Sequence, residues 1–379
     1  MEHWMTVEPN TPFSKTSDDA AKERSWSVRE YRPGDEEGIL ELRRKVYPKD
    51  DLDRCEWMRW WRWQHLDNPS GMPFIWFADA KDRLAGQYEI VRFRMRINGK
   101  EGLASHSQDT MTHPDFRRQG IFEELANRTY QQAAKAGLQL AYGFPNRYSY
   151  PGLVSKLSWL DVCKVPFVLK PLSVRNTLRR RIKNRFLVAV SSVLAKAFLL
   201  IFARESRPPI DPELTVEDAS SFDDGANELW KEVSGDFGII CVRDREQLNW
   251  RYVDIPHRRY RILIARRKGR MVGYVVLGLA VKEGFTAGEI VDLFAVRDDG
   301  ALSLLLSKAV EHFRTSRADA VYSWLPDNPA YKRAFRKGGF FCLPPMHLFV
   351  VRPLSKDLPK DYVANYSNWF IMMGDSDFH

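Results

Sequence analysis

The feature that most constrains this chain is an internal duplication. Four residues of the first half recur 187 positions later in the same order: Asp67 as Asp254, Pro69 as Pro256, Arg83 as Arg270 and Gly86 as Gly273. The triplet Trp61-Arg62-Trp63 matches Trp250-Arg251-Tyr252 at a separation of 189. A second block matches at a separation of 181, with Pro145 as Pro326, Tyr150 as Tyr331 and Trp159 as Phe340. Ordered pairs with slowly drifting separations predict a tandem repeat of one folding unit.

The chain of 379 residues is long enough for two or three domains. Its 44% hydrophobic and 28% charged residues are ordinary for globular proteins. These values exclude a fully disordered, collagenous or multi-span membrane protein. We expect a disordered tail over 1–24, a first domain over 25–172, a basic and apolar linker helix over 173–210, a second domain over 211–354 and a tail over 355–379.

Strands and helices alternate in the pattern of both repeats. Asn98-Gly99 predicts a hairpin turn between two strands. Phe122 to Ala136 predicts a helix that ends at Gly137.

The turn before that helix is a candidate anion site. Gly120 allows the backbone to turn tightly, and the N–H groups of the first helical residues then point to one spot. The helix dipole and the charges of Arg117 and Arg118 favour an anion there, and a pyrophosphate fits.

This segment, Arg117-Arg118-Gln119-Gly120-Ile121, resembles the hallmark Arg/Gln-x-x-Gly-x-Gly/Ala of the GCN5-related N-acetyltransferase (GNAT) superfamily. Phe122 stands where Gly or Ala is usual, which is expected to crowd the turn. Downstream segments also look like the family: Phe144-Pro145-Asn146, Lys156 to Trp159 and, in the second copy, Lys337 to Phe340. The resemblance covers roughly 26–172 and 214–354 and is to tandem-domain bacterial-type acyltransferases.

The resemblance implies an α/β (α+β) fold of two tandem GNAT-like domains. Each would hold a mixed, mostly antiparallel twisted sheet, flanked by helices and splayed between strands 4 and 5. It implies acetyl-CoA or another acyl-CoA as co-substrate and no metal. The implied cofactor-binding residues are Met111, Thr112, Arg117, Arg118, Gln119, Gly120, Ile121, Phe122 and Asn146.

The second copy has lost this chemistry at the corresponding turn. Arg297-Asp298-Asp299-Gly300-Ala301 keeps the spacing, but two acids lie where a pyrophosphate would bind. Like charges repel, so we expect a degenerate second domain with a structural or acceptor-binding role.

The catalytic residues are harder to assign. The tyrosine that the family usually employs as acid is replaced by Val154, and Tyr150 is a substitute whose alternative role is packing. His106 and Asp109, on opposite faces of the predicted fourth strand, are the candidate bases. By analogy with tandem relatives whose C-terminus enters the active site, a base could instead come from Asp375, Asp377 or His379.

The net charge of +9 favours polyanionic partners. The basic and apolar stretch 179–203 is interpreted as a buried interdomain helix, with an interfacial helix on anionic lipid and a membrane span as alternatives. No nucleic-acid-binding module is recognisable. Four cysteines without a paired motif fit a cytoplasmic protein, with peripheral contact at the inner face of the membrane as an addition. The oligomeric state stays open.

These observations predict an N-acyltransferase. Its first domain would transfer an acetyl or longer acyl group from acyl-CoA to the primary amine of a small molecule, such as an amino sugar or an envelope precursor. The alternative is a non-catalytic acyl-CoA-binding or membrane-surface scaffold protein that keeps the fold.

Overall fold

The computed structural model describes residues 25–48, 53–173, 211–282 and 284–377. The predicted tail 1–24 and the predicted helix 179–203 lie outside the described residues. In the described part of the chain, no helix is long and apolar enough to cross a membrane.

The first repeat alternates helices and strands as its pattern predicts. Its helices are α1 (Glu36–Val46), α2 (Arg54–His65), α3 (Ile121–Lys135) and α4 (Tyr150–Leu157). Its strands are β1 (Ser27–Glu30), β2 (Phe74–Asp79), β3 (Leu84–Ile97), β4 (Lys100–Thr112), β5 (Leu140–Gly143), β6 (Leu160–Lys164) and β7 (Phe167–Pro171). The turn between β3 and β4 is Asn98-Gly99, and both residues have positive φ, as such a two-residue hairpin requires.

The second repeat has the same order of elements, apart from a short strand between its first two helices and a further helix and strand at its end. Its helices are α5 (Gly225–Val233), α6 (Arg245–Tyr252), α7 (Asp299–Thr315), α8 (Pro329–Lys337) and α9 (Lys360–Ala364). Its strands are β8 (Leu214–Ala219), β9 (Ile239–Cys241), β10 (Arg261–Arg267), β11 (Arg270–Lys282), β12 (Phe285–Ala295), β13 (Ala320–Trp324), β14 (Phe341–Leu343), β15 (Leu348–Pro353) and β16 (Trp369–Phe370).

Two mixed, mostly antiparallel sheets organise the molecule, which confirms the predicted fold class. The first has the order β1-β2-β3-β4-β5-β15-β6, and β9 and β16 extend it beside β3. The second has the order β14-β7-β13-β12-β11-β10-β8. Amphipathic helices such as α3 bury one face against these sheets.

The two halves exchange strands. β15 lies between β5 and β6 of the first sheet and pairs antiparallel with both. β7 lies between β13 and β14 of the second sheet, again antiparallel to both. The predicted segments 25–172 and 211–354 follow the repeat in sequence, but each sheet takes one internal strand from the other segment.

A pair of tryptophans joins the halves where the repeat meets itself. The rings of Trp63 and Trp250 stack 5.0 Å apart, and each indole N–H donates to the backbone carbonyl of the other residue. Helices α2 and α6 end at Leu66 and Val253, and these two residues are 187 positions apart in the sequence, as Trp63 and Trp250 are. Trp63 is therefore the counterpart of Trp250. The helix ends and the stacked rings thus pair Trp63, rather than Trp61, with Trp250.

Further contacts fix the halves together. β9 pairs antiparallel with residues 95–97 of β3. The guanidinium of Arg94 donates to both carboxylate oxygens of Asp244, at 2.8 and 3.0 Å. Such bidentate pairs also fix orientation.

The C-terminal segment is built into this seam. β16 pairs with β9, and the carboxylate of Asp375 accepts from the buried guanidinium of Arg243 at 2.7 Å. Arg243 also pairs with Asp292 at 3.2 Å. At Gly374, a Cβ would lie 2.0 Å from the hydroxyl of Tyr252, so this close approach requires glycine. Segment 369–377 is therefore an integral part of the core rather than a loose tail.

Separated halves test the strand exchange. Residues 1–173 and 211–379 each lack an internal strand of their own sheet, so we expect neither to unfold cooperatively alone. Co-expression should restore a 1:1 complex with the thermal transition of a folded protein, measured by circular dichroism and gel filtration. A first half that folds alone as a monomer would contradict the exchange.

Removal of the buried guanidinium tests how the C-terminal segment is held. Arg243→Met leaves Asp292 and Asp375 as buried, unpaired carboxylates, so the free energy of unfolding should fall by about 3–5 kcal/mol. The matched control is Arg245→Met, which breaks an exposed ion pair with Asp224 and should cost at most about 1 kcal/mol. Equal losses in urea unfolding would show that the buried cluster does not stabilise the fold.

Candidate functional site

A V-shaped gap opens between β4 and β5. The two strands pair in parallel at two positions, Ser105 with Ala141 and His106 with Tyr142. Beyond His106, β4 runs on to Met111 and Thr112, which pair with β3 on one edge. The other edge of this stretch faces the gap, so its backbone groups can pair with an extended ligand.

The turn at the head of α3 has the geometry of an anion site. Arg118 and Gly120 have φ of 65° and 79°, and Gly120 caps the helix. A Cβ built on Gly120 would meet no atom within 4 Å, so the space above the turn is open. The first N–H groups of a helix have no partner within it, and Arg117, Arg118 and Gln119 are exposed beside them.

The side chain of Phe122 packs away from this turn. Its ring lies 5.6 Å from that of Tyr88 and covers Gly152, where a Cβ would come within 2.9 Å of it. The crowding expected from this residue is therefore absent at Gly120. Ile121, beside it, is buried in the core.

The corresponding turn of the second half is filled by the chain itself. Asp298 caps α7 and accepts from the N–H of Gly300 at 2.7 Å, while its other oxygen pairs with Arg267. Asp299 pairs with two further cations, Arg333 at 3.3 Å and Lys337 at 3.0 Å. An incoming phosphate would meet these carboxylates instead of open amides.

His106 lies where β4 and β5 part. It is 2% exposed and stacks on Tyr142 at 4.8 Å. Its Nε2 atom has no hydrogen-bond partner among the described residues and lies 3.8 Å from a carboxylate oxygen of Asp377. Burial, aided by the charge of Arg251, lowers the pKa of His106 to about 3, so the imidazole is neutral at pH 7.

Asp109 sits in a bulge of β4. Its φ is 43°, and the register with β3 shifts at this point. Its carboxylate pairs with Arg43 at 2.9 Å, and its carbonyl accepts from the side-chain amide of Gln87 at 3.3 Å. The charge of Asp109 is thus engaged in fixing α1 on the sheet.

Tyr150 and Asn146 lie at the start of α4. The hydroxyl of Tyr150 donates to Asp161 at 2.9 Å, which raises its pKa. The side-chain oxygen of Asn146 accepts from the N–H groups of Tyr148 and Ser149 and so shapes this turn. The roles predicted for both residues stay predictions.

A cavity of about 50 Å³ lies at the seam of the two halves, large enough for a few water molecules. Of the three predicted catalytic residues, His106 lines it, whereas Tyr150 and Asp109 do not. Its lining comes from both repeats and from the C-terminal segment: Trp60, Trp63, Gln64, Val91, Phe93, His106, Gln108, Trp250, Arg251, His257, Arg258, Ser376 and Asp377.

The C-terminal segment brings a carboxylate to this cavity. Arg251 donates to the carbonyls of Gly374 at 3.0 Å and Ser376 at 2.6 Å, which directs Asp377 towards His106. Partial burial raises the pKa of Asp377 to about 6. Of the three C-terminal candidates, Asp375 is held by Arg243, and His379 lies outside the described residues.

Sequence reasoning missed the residues contributed by the second half. Asp109 and Asp292 are counterparts at the bulges of β4 and β12, and the same separation makes Glu289 the counterpart of His106. Glu289 is buried and pairs with Arg258, which lines the cavity, at 3.7 Å. Strand-by-strand comparison of the two copies was the signal that could have found Glu289.

A buried hydrogen-bonded pair of a histidine and a carboxyl group was also missed. His65 contacts Glu89 at 2.5 Å, and the other oxygen of Glu89 accepts from Gln87 at 2.9 Å. Because Gln87 also holds the carbonyl of Asp109, this pair supports the bulge of β4. In the described part of the chain, no group of three His, Cys, Asp or Glu side chains is placed to hold a metal ion.

Solved structures show that this fold occurs elsewhere. One similar structure is a conserved protein from Enterococcus faecalis V583, described as a probable N-acyltransferase, with a TM-score of 0.59 and 12% identity. Another is a GCN5-related N-acetyltransferase from Anabaena variabilis ATCC 29413, with a TM-score of 0.61 and 11% identity. Each match covers 87% of this chain and 73% of the other. At these identities the likeness concerns the fold. No curated protein is found to match the chain.

A comparison with protein families finds a match within the first repeat. The model of the acetyltransferase (GNAT) domain matches residues 27–159, which hold the splayed strands, the open turn before α3 and His106. Residues 27–159 are therefore similar to an acetyltransferase domain of the GNAT superfamily.

Proposed function

We propose that the protein is an N-acyltransferase that moves an acetyl or longer acyl group from acyl-CoA to the primary amine of a small molecule. The observation that carries this proposal is the open turn before α3 beside the splayed edge of β4. Both features occur in the half that matches the acetyltransferase model.

The donor site would use this chain's backbone. The amides at the start of α3, with Arg117 and Arg118 beside them, suit a pyrophosphate. The free edge of β4 at Met111 and Thr112 suits a chain of amides such as pantetheine. The filled turn at Asp298 supports a single donor site, in the first half.

The chemistry would occur where the gap meets the seam cavity. Acyl-CoA would supply an activated thioester. The acceptor nitrogen would form the new C–N bond and lose its second proton as the C–S bond breaks, and the leaving thiolate would take up that proton. Asp377, ionised above pH 6, would accept the ammonium proton, and neutral His106 would orient the amine by a hydrogen bond.

A second candidate function is a non-catalytic acyl-CoA-binding or membrane-surface scaffold. It is favoured by the loss of the family tyrosine at Val154 and by the bond of Tyr150 to Asp161. Acyl transfer to any amine would exclude it. Contact with anionic lipid through 179–203 and a cytoplasmic location at the inner membrane face remain predictions.

A charge placed at the open turn tests the donor site. Gly120→Glu should abolish acetyl-CoA binding because a carboxylate would occupy the space above the amides of α3. Wild type with ligand at ~100 times its Kd should gain about 2.7 kcal/mol of stability in a thermal-shift assay, and the variant should gain none.

Gly137→Glu is the matched control for this substitution. Gly137 lies at the other end of α3, has φ of 82° and likewise has nothing within 4 Å of a built Cβ. The backbone strain is therefore similar, but ligand stabilisation should persist. Equal binding by both variants would place the donor elsewhere.

The carboxylate of the C-terminal segment should set the pH dependence of turnover. A base must be ionised, so kcat/KM should rise with pH through about 6 and then level off. Asp377→Asn should lower kcat by about 100-fold and remove this rise. The control Asp357→Asn alters an exposed carboxylate and should keep the wild-type profile. An unchanged profile in Asp377→Asn would remove Asp377 from the mechanism.

A further inference from the structure

The seam cavity holds cations as well as groups that suit an amine. Arg251 and Arg258 line the same cavity of about 50 Å³ as His106 and Asp377. Both arginines come from the second half, in the segment at the end of α6 and just after it. An acceptor whose amine reaches His106 must therefore place its neighbouring substituents beside guanidinium groups.

The cavity contains a buried polar group without a partner. The Nε2 atom of His106 is sequestered from solvent and makes no hydrogen bond within the described residues. A buried polar atom without a partner is energetically costly, so such an atom indicates a position where a ligand group binds.

The surrounding charges determine what else the acceptor carries. Arg251 donates to the backbone carbonyls of Gly374 and Ser376 at the edge of the cavity. Arg258 pairs with Glu289 at 3.7 Å, and a guanidinium has five N–H donors, so it can bind more than one acceptor. Near the reacting amine, Asp377 is the acid that lines the cavity.

Burial and the charges of these cations lower the pKa of both imidazoles in the cavity, those of His106 and His257. His257 has its pKa lowered to about 4 by burial and by the charges of Arg258 and Arg251. The pKa of His106 is lowered by burial and by Arg251. A site that disfavours an imidazolium also disfavours a substrate that brings only positive charge.

We propose, on the basis of the acyltransferase function above, that the acceptor carries an anionic group within a few bonds of its reacting amine. The anion, a carboxylate or a phosphate, would bind Arg258, whose planar donors match both. The amine would face His106 and Asp377. Polyamines and other polycations would be poor acceptors.

Matched pairs of amines test this inference. The probes are phenylalanine with phenethylamine, for a carboxylate, and phosphoethanolamine with ethanolamine, for a phosphate, with spermidine as the polycation. In acetyl-CoA turnover, the anionic member of at least one pair should have a kcat/KM at least tenfold higher. The pair that shows the preference identifies the anion.

Variants of Arg258 distinguish charge from structure. Arg258→Met should reduce the preference within that pair to about one, and Arg258→Lys should retain only part of it because the charge remains but the planar pair of donors is lost. Thermal unfolding of both variants checks that the neighbouring Glu289 tolerates the change. A preference that survives in Arg258→Met would overturn the assignment.

The remaining outcomes separate this inference from the proposed function. If phenethylamine and ethanolamine are both used as well as their anionic counterparts, or if spermidine is the better acceptor, the anionic acceptor is overturned and the acyltransferase function stands. Acetyl-CoA binding without transfer to any amine would overturn both and favour the scaffold function.

Discussion

The pairing of β15 between β5 and β6 is the interaction on which the rest of the structure depends. It completes the first sheet with a strand from the second repeat, and β7 completes the second sheet in return. These hydrogen-bonded ladders then join chain segments that are about 150 to 210 residues apart. The cavity at the seam, with lining residues from both halves, exists because the halves cannot move independently.

The duplication and the local patterns predicted the elements well. Asn98-Gly99, Gly120 and Gly137 all occupy left-handed backbone positions, which glycine and asparagine adopt at small cost. The strand exchange could not be predicted in this way. The exchanged strands, β7 and β15, have the same local pattern of residue types, so their sequences do not determine which sheet each of them joins.

The residues of the candidate site also fall into two groups, those that local sequence reveals and those that act through long-range contacts. The turn before α3 and His106 depend on neighbours close in sequence, and pattern and resemblance found them. Arg251, Arg258 and Glu289 matter through long-range contacts with the first half and the C-terminal segment. Asp377 was found through analogy, because a carboxylate at the third position from the end of this sequence has no local signal.

The strand exchange has a consequence for synthesis. β15 begins 184 residues after the end of β6, so the first sheet lacks an internal strand until most of the second repeat has been translated. At typical elongation rates this interval is roughly 10–40 s. During that time the facing edges of β5 and β6 offer unpaired backbone groups on the ribosome-bound chain. We therefore expect nascent chains of this protein to depend on chaperones that bind exposed strands, and a stalled ribosome would leave the first sheet incomplete.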